Sequence, residues 1–235
     1  MTKHSKIATE NRRRSQRGAA VMVEFILVSV MLTPLVLGSV AIGLGLSRYM
    51  QTGSLCRSAA SLYVRGTDFN RTDAQRILGK ISGNLGLADS SGNVLTTGSG
   101  VVILSRIVRI GGAQCAEGGF APPSYTGCAN RGYAVITQRT LVGNSSLRDS
   151  SYATPVGGAR QSDGSYDASF YLVDPSVRAA GFGVAPADDV VVTSAPVNLA
   201  AGEEAYLTET FFNAPELNLF PNVVNLSGYY HKNFF

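Results

Sequence analysis

The sequence predicts an α+β protein, in which one long N-terminal helix precedes a domain built on an antiparallel sheet of about four strands. Three observations predict it. An uncharged apolar run of 23 residues extends from Phe25 to Ser47, helical spacing continues beyond it to about residue 66, and runs rich in β-branched residues begin only after residue 100. Helical and strand segments are therefore segregated along the chain, as is typical of the α+β class.

The apolar run is long enough to cross a membrane, because a hydrocarbon core needs about 20 helical residues. The alternative is a cleaved secretory signal, whose apolar region spans about 7–15 residues and ends at a small-residue cleavage site. This run is longer, and no such site closes it. We therefore predict a retained span at about 25–47 within a helix over 19–66.

A basic leader occupies residues 1–18, where six Lys and Arg residues face Glu10 alone, while the chain after residue 24 carries 14 basic and 14 acidic residues. Basic residues beside a spanning helix favour the cytoplasmic side. The leader is thus expected in the cytoplasm and residues 67–235 outside it. A nucleic-acid-binding arm is the alternative for such charge, but the leader adjoins the apolar run, so we expect no nucleic-acid partner.

Beyond the span, Leu55, Ala59 and Leu62 recur at helical spacing on one face. A second helix is predicted over 73–81, with Thr72 as its N-cap and Gly83 as its stop.

Four segments are predicted to be strands because they are rich in β-branched and aromatic residues. They cover residues 101–110, 133–142, 190–193 and 205–212. Residues 143–169 are rich in Ser, Gly, Asp and Asn, which indicates a long surface loop. The tail Tyr229–Phe235 is either a docking element or a terminus folded onto the sheet.

Cys115 and Cys128 are 13 residues apart in a Gly- and Pro-rich stretch. In an oxidising compartment they can close this loop as a disulfide, which would stabilise the fold by about 3 kcal/mol in the chain-entropy model. Cys56 is left over. It is expected to be a packed helix residue, with a reactive thiol as the alternative.

Catalytic motifs are missing from the sequence. His4 and His231 are the two histidines and would lie on opposite sides of the membrane, and neither an H-E-x-x-H nor a C-x-x-C motif occurs. The carboxylate pairs 188–189 and 203–204 are adjacent, so on a strand their side chains face opposite sides. We therefore expect no enzyme, cofactor or metal centre. A calcium site at Asp163 and Asp167 is the alternative.

Glu24 places a carboxylate near the start of the span, where a charge is costly and calls for a partner or a function. In the simpler interpretation it reaches water at the headgroups. In the other, a partner or a function holds the carboxylate at this position.

The N-terminal region, RGAAVMVEF followed by LTPLVLG and LCRSAASLYVR, resembles the TadE/TadG-like family, pseudopilin-like components of tight-adherence (Flp) pilus machinery. A second similarity lies in GEEAYLTETFF at 202–212, which resembles the family's late strand, Tyr-Val-x-Glu-x-Phe-Tyr. The first match covers about 50 residues and the second 11. Residues 67–190 contribute nothing to the resemblance.

The resemblance implies a pilin-like fold and a leader cut after Gly18, so that the new amine can pair with a Glu carboxylate in a helix bundle. The basic leader, Gly18 and the Glu24-Phe25 pair resemble a type IV prepilin leader. In most such leaders the Glu is the fifth residue after the cut, whereas Glu24 is the sixth after Gly18. The cut therefore follows Ala19, or the register is shifted, or no cut occurs. Glu24 and Phe25 would then set the register of assembly.

The function implied is that of a minor pilin or pseudopilin-like component in the bacterial cytoplasmic membrane, with a periplasmic C-terminal domain. Its partners would be that membrane, pilin-like proteins, the pilus assembly platform and a prepilin peptidase. The alternative is a membrane-tethered binding module or enzyme unrelated to pili.

Overall fold

A computed structural model of the chain describes residues 3–158, 160–184, 197–214 and 228–235, with side chains from Met22 onward except for Asn84. The chain forms two compact units, Met1–Leu46 and Ser47–Phe235. Helix α1, Lys3–Val64, contributes to both. The remaining helices are α2 (Thr72–Ser82), α3 (Gly112–Glu117) and α4 (Ala168–Tyr171).

The second unit is built on a four-stranded antiparallel sheet in the order β2-β1-β3-β4. Its strands are β1 (Gly100–Arg109), β2 (Ala134–Gly143), β3 (Glu204–Asn213) and β4 (Gly228–Phe234). The α+β class with an antiparallel sheet is confirmed. Strands β1, β2 and β3 lie within a residue or two of the segments predicted from their β-branched and aromatic content.

The fourth strand differs from the one predicted. The segment 190–193 lies outside the described residues, and the fourth strand of this sheet is the tail Tyr229–Phe235, which pairs with β3 from Leu207 to Asn213. The tail therefore folds onto the sheet, one of the two alternatives open from the sequence. Its aromatic residues favour a strand, but His231, Lys232 and Asn233 interrupt them, so the strand pattern is weaker than in the β-branched runs.

One sheet face packs against the second half of α1. Leu55, Ala59 and Tyr63 form a buried cluster with Val102 and Leu104 of β1. The predicted helix face is thus confirmed at Leu55 and Ala59, while Leu62 is half-buried against the same cluster.

Helix α2 adds Leu78 to this cluster. It begins at Thr72 with Arg71 as N-cap, one residue earlier than predicted, and its C-cap is Gly83, at a φ of 54°. Glycine adopts a positive φ without the steric cost that a Cβ would add, which explains why the helix stops there as expected.

The opposite sheet face is covered by later parts of the chain. Ile107, Ile136 and Leu207 of the sheet pack with Phe182 and Leu199. Residues Ser150–Ala153 of the predicted loop also lie against this face, held by hydrogen bonds to Glu209 and Arg139. The loop thus contributes to the fold and does not only cross the surface.

Adjacent residues on α2 provide a matched test of this core. Leu78 is fully buried and Ile77 is 47% exposed. We expect Leu78→Ala to lower the free energy of unfolding of the second unit by about 2–5 kcal/mol, because it leaves a cavity. Ile77→Ala should cost roughly 1 kcal/mol or less. Denaturant unfolding of both variants measures the difference, and equal losses would contradict the packing described.

Candidate functional site

The anchor segment, residues 22–46 of the first unit, exposes sixteen large hydrophobic side chains, each at least 49% accessible. Water does not normally face so continuous an apolar surface, and such surfaces mark interaction sites. By length and composition α1 is apolar enough to cross a membrane, although an N-terminal signal sequence has the same properties. What the segment requires is an apolar environment or neighbouring helices.

Glu24 is the one ionisable residue of the anchor segment, and its side chain is exposed beside that of Phe25. Among the described side chains it forms no ion pair. The two expected cleavage positions, Gly18 and Ala19, lie in α1 where the structure describes the backbone alone. Both interpretations of Glu24, contact with water and pairing in a bundle, therefore remain predictions.

A cavity of about 310 Å³ opens in the second unit beside the end of α1 and strands β1, β2 and β3. Three aromatic rings and several polar side chains share its wall: Tyr63, Phe69, Tyr206, Asp68, Asn70, Arg106, Gln138, Thr140 and Asp163. Its volume is at the lower end of the range for small-ligand pockets.

The cation that lines this cavity, Arg106, is paired with a carboxylate. Arg106 binds Glu204 through two hydrogen bonds, the one from Nε to Oε2 being 2.9 Å. The hydrogen bond from Arg106 lowers the pKa of the Glu204 carboxyl below its usual value. Burial raises the pKa of the Tyr63 phenol, so this ring stays neutral. The cavity thus combines aromatic rings with polar side chains, an arrangement that can contact a small ligand.

Glu209 is a buried carboxylate on the other sheet face, with 1% of its surface exposed. It accepts hydrogen bonds from Ser150 Oγ, from the Ser151 backbone N–H at 3.0 Å and from the Tyr230 hydroxyl at 2.6 Å. It therefore ties the loop at Ser150 and strand β4 to the centre of the sheet. This is the Glu of the late-strand resemblance, to which the sequence assigned no role.

Among the described residues, the acidic side chains singled out in the sequence do not gather into a metal-binding cluster. Glu204 faces Arg106, whereas the Glu203 carboxylate accepts from the Ala200 backbone; the pair 188–189 lies outside the described residues. Asp163 accepts from Ser165, and Asp167 accepts from Gln161. Within the described ranges no group of three or more His, Cys, Asp or Glu side chains could hold a metal ion.

Cys115 and Cys128 are joined in a disulfide, with their Cα atoms 5.9 Å apart, which fits the expected pair. The buried Asn130 follows this disulfide-closed loop. It connects the loop to a later part of the chain by donating hydrogen bonds to the carbonyls of Tyr171 and Asp174. Cys56 is free and buried, and burial raises the pKa of its thiol to about 11. A protonated, enclosed thiol is unreactive, in agreement with a packing role.

Sequence reasoning missed the Arg106–Glu204 pair and the contacts of Glu209 and His231, because each joins residues far apart in the chain. The sequence signal that could have indicated these residues is that each is a polar residue inside a strand-like run.

Comparison of the chain with family models, with curated proteins and with solved structures finds no match. Function must therefore be inferred from the residues and their geometry.

Replacing Glu209 by Gln tests its structural role. The amide keeps one acceptor oxygen but turns an NH₂ group toward donors that the carboxylate now satisfies. We expect a loss of about 1–3 kcal/mol in the free energy of unfolding. The exposed Glu117 offers the matched control, since Glu117→Gln should change it by less than about 0.5 kcal/mol. Unchanged stability in the Glu209 variant would show that Glu209 does not hold the loop at Ser150 and strand β4 to the sheet.

Proposed function

We propose that the protein is a minor pilin or pseudopilin-like structural component of a tight-adherence (type IVb, Flp) pilus assembly or secretion system, similar to TadE/TadG-like proteins. One observation carries the proposal. Helix α1 exposes a continuous apolar surface along residues 22–46, and its residues Leu55, Ala59 and Tyr63 form part of the core of a four-stranded antiparallel sheet. Anchoring and sheet packing are thus combined in one helix, as a pilin-like protein requires.

Glu24 supports assembly over simple tethering. A carboxylate within an apolar span is costly unless it is paired, and a tether needs none. In a bundle of such helices, the terminal amine of a cleaved neighbour would offset the desolvation of the carboxylate. Because a misplaced neighbour would leave both charges unpaired, the pair would favour one axial register.

The proposed topology places the basic leader in the cytoplasm and the second unit outside the bacterial cytoplasmic membrane. The Cys115–Cys128 disulfide supports this side for the second unit, because disulfides persist in oxidising compartments. The proposed partners are pilin-like proteins, the assembly platform and a prepilin peptidase acting after Gly18 or Ala19.

The cavity beside Tyr63 and Arg106 favours a second candidate, a membrane-tethered binding module. The two functions differ in whether they require the particular sequence of the anchor segment. A binding module would keep its activity when the anchor segment is replaced by an unrelated spanning helix, whereas an assembly component would fail.

Intact mass of the protein extracted from membranes of its native host tests processing. We expect a mass that lacks the first 18 or 19 residues, because cleavage frees the amine that pairs with Glu24. The shorter loss would place the cut after Gly18 and the longer one after Ala19. A full-length mass would exclude cleavage and remove the proposed amine partner.

Substitution of Glu24 tests assembly. Glu24→Gln preserves shape and removes the charge. Ser39→Ala is the control, since its hydroxyl donates to the Leu35 carbonyl of its own helix. Breaking a buried charge pair costs about 3–5 kcal/mol, so recovery of cross-linked pilin-like partners should fall by about a hundredfold or more. Thermal unfolding of the second unit should not change. Normal recovery with the Gln variant would refute the role of Glu24 in register.

A further inference from the structure

His231 of strand β4 lies against the part of α1 with which the second unit begins. Its ring centroid is 4.2 Å from that of Tyr49. Gly53 leaves the space for the imidazole, because a Cβ at that position would lie 3.1 Å from Cε1 of His231 and 3.3 Å from Nε2. The contact attaches the C-terminal strand to the helix.

Only one of the two imidazole nitrogens has a hydrogen-bond partner at this position. It hydrogen-bonds the backbone of Tyr49, but its Nε2 is enclosed without a partner. The cation Arg57 lines the same recess and acts on the imidazole electrostatically. In this position a protonated imidazole would face a like charge and would carry a second N–H with no acceptor.

The carboxylate and the ammonium group on the neighbouring strands face the other side of the sheet. Glu209 of β3 and Lys232 of β4 point to the opposite sheet face, toward Ser150 and Tyr152 respectively. Cys56 of α1 contacts Thr208 and stays protonated. In the described parts of the chain no carboxylate forms an ion pair with His231.

The interface around His231 is polar, unlike the rest of the helix–sheet contact. One row across the sheet runs Val142, Val102, Thr210, His231, so it changes from apolar to polar toward β4. The Thr208 hydroxyl is buried and has no hydrogen-bond partner among the described residues. Unsatisfied buried groups lower local stability.

We propose that His231 is a proton-controlled latch, which holds strand β4 against helix α1 when its imidazole is neutral and releases the strand when the imidazole is protonated. Release leaves the hydrogen-bonding edge of β3 open from Leu207 to Asn213. An open strand edge accepts another strand, so acidification would prepare this edge for a new pairing.

The direction of the effect follows from linkage. Burial, and to a lesser extent Arg57, lowers the pKa of His231 in the closed state below its usual value of 6.5. The released strand, with its imidazole in water, binds the proton more tightly. The closed state is therefore fully favoured above pH 6.5 and loses stability as the pH falls from there through the lowered pKa.

The test uses the full chain in lipid nanodiscs. The protein has two histidines, so His4→Gln leaves His231 as the only imidazole for an NMR titration. We expect a pKa below 6.5, raised by Arg57→Gln. Amide hydrogen exchange, corrected for its intrinsic pH dependence, should show loss of protection in β4 over the same pH range. The fold-change should equal ten raised to the difference between the His231 pKa in the closed and released states.

His231→Phe keeps a ring at this position and removes the proton site, so β4 should stay protected at low pH, while the His4→Gln protein should keep the pH dependence. If the Phe variant does not fold, Arg57→Gln decides, since it should raise the His231 pKa of the closed state and so reduce the loss of β4 protection at low pH. A His231 pKa at or above 6.5, or protection of β4 that does not change as His231 titrates, would overturn the proposal.

Discussion

The second unit depends on one packing contact, that of Leu55, Ala59 and Tyr63 of α1 with Val102 and Leu104 of β1. Strand β1 is central, paired with β2 on one side and β3 on the other. The helix therefore covers the middle of the sheet, where removal of apolar surface from water contributes most to stability. Ala59, fully buried, allows the helix to approach closely.

The polar groups of β3 and β4 are hydrogen-bonded differently on the two faces of the sheet. On the loop face, Glu209 satisfies three donors and secures strand β4 to the sheet. On the helix face, the Thr208 hydroxyl of β3 and Nε2 of His231 are buried without partners among the described residues. Strand β4 is thus held by side-chain hydrogen bonds on one face and carries an unpaired nitrogen on the other.

Much of the fold could be predicted because local patterns carried it. The apolar run, the helical spacing of Leu55 and Ala59, and the β-branched content of β1, β2 and β3 each reflect a period or a propensity visible within a short window. The fourth strand could not be predicted in this way. Residues 228–234 become a strand because β3 offers an edge with which they pair, and pairing partners are decided by tertiary structure.

The sequence by itself determined an apolar helix followed by a domain with neutral net charge, an isolated carboxylate at position 24 and a cysteine pair 13 residues apart. Only the tertiary structure decided which polar residues meet: Arg106 with Glu204, Glu209 with Ser150 and Tyr230, and His231 with Tyr49. The physical reason is that periodicity records burial along one segment, whereas these contacts join residues 21 to 182 positions apart in the chain, whose meeting depends on strand order and register.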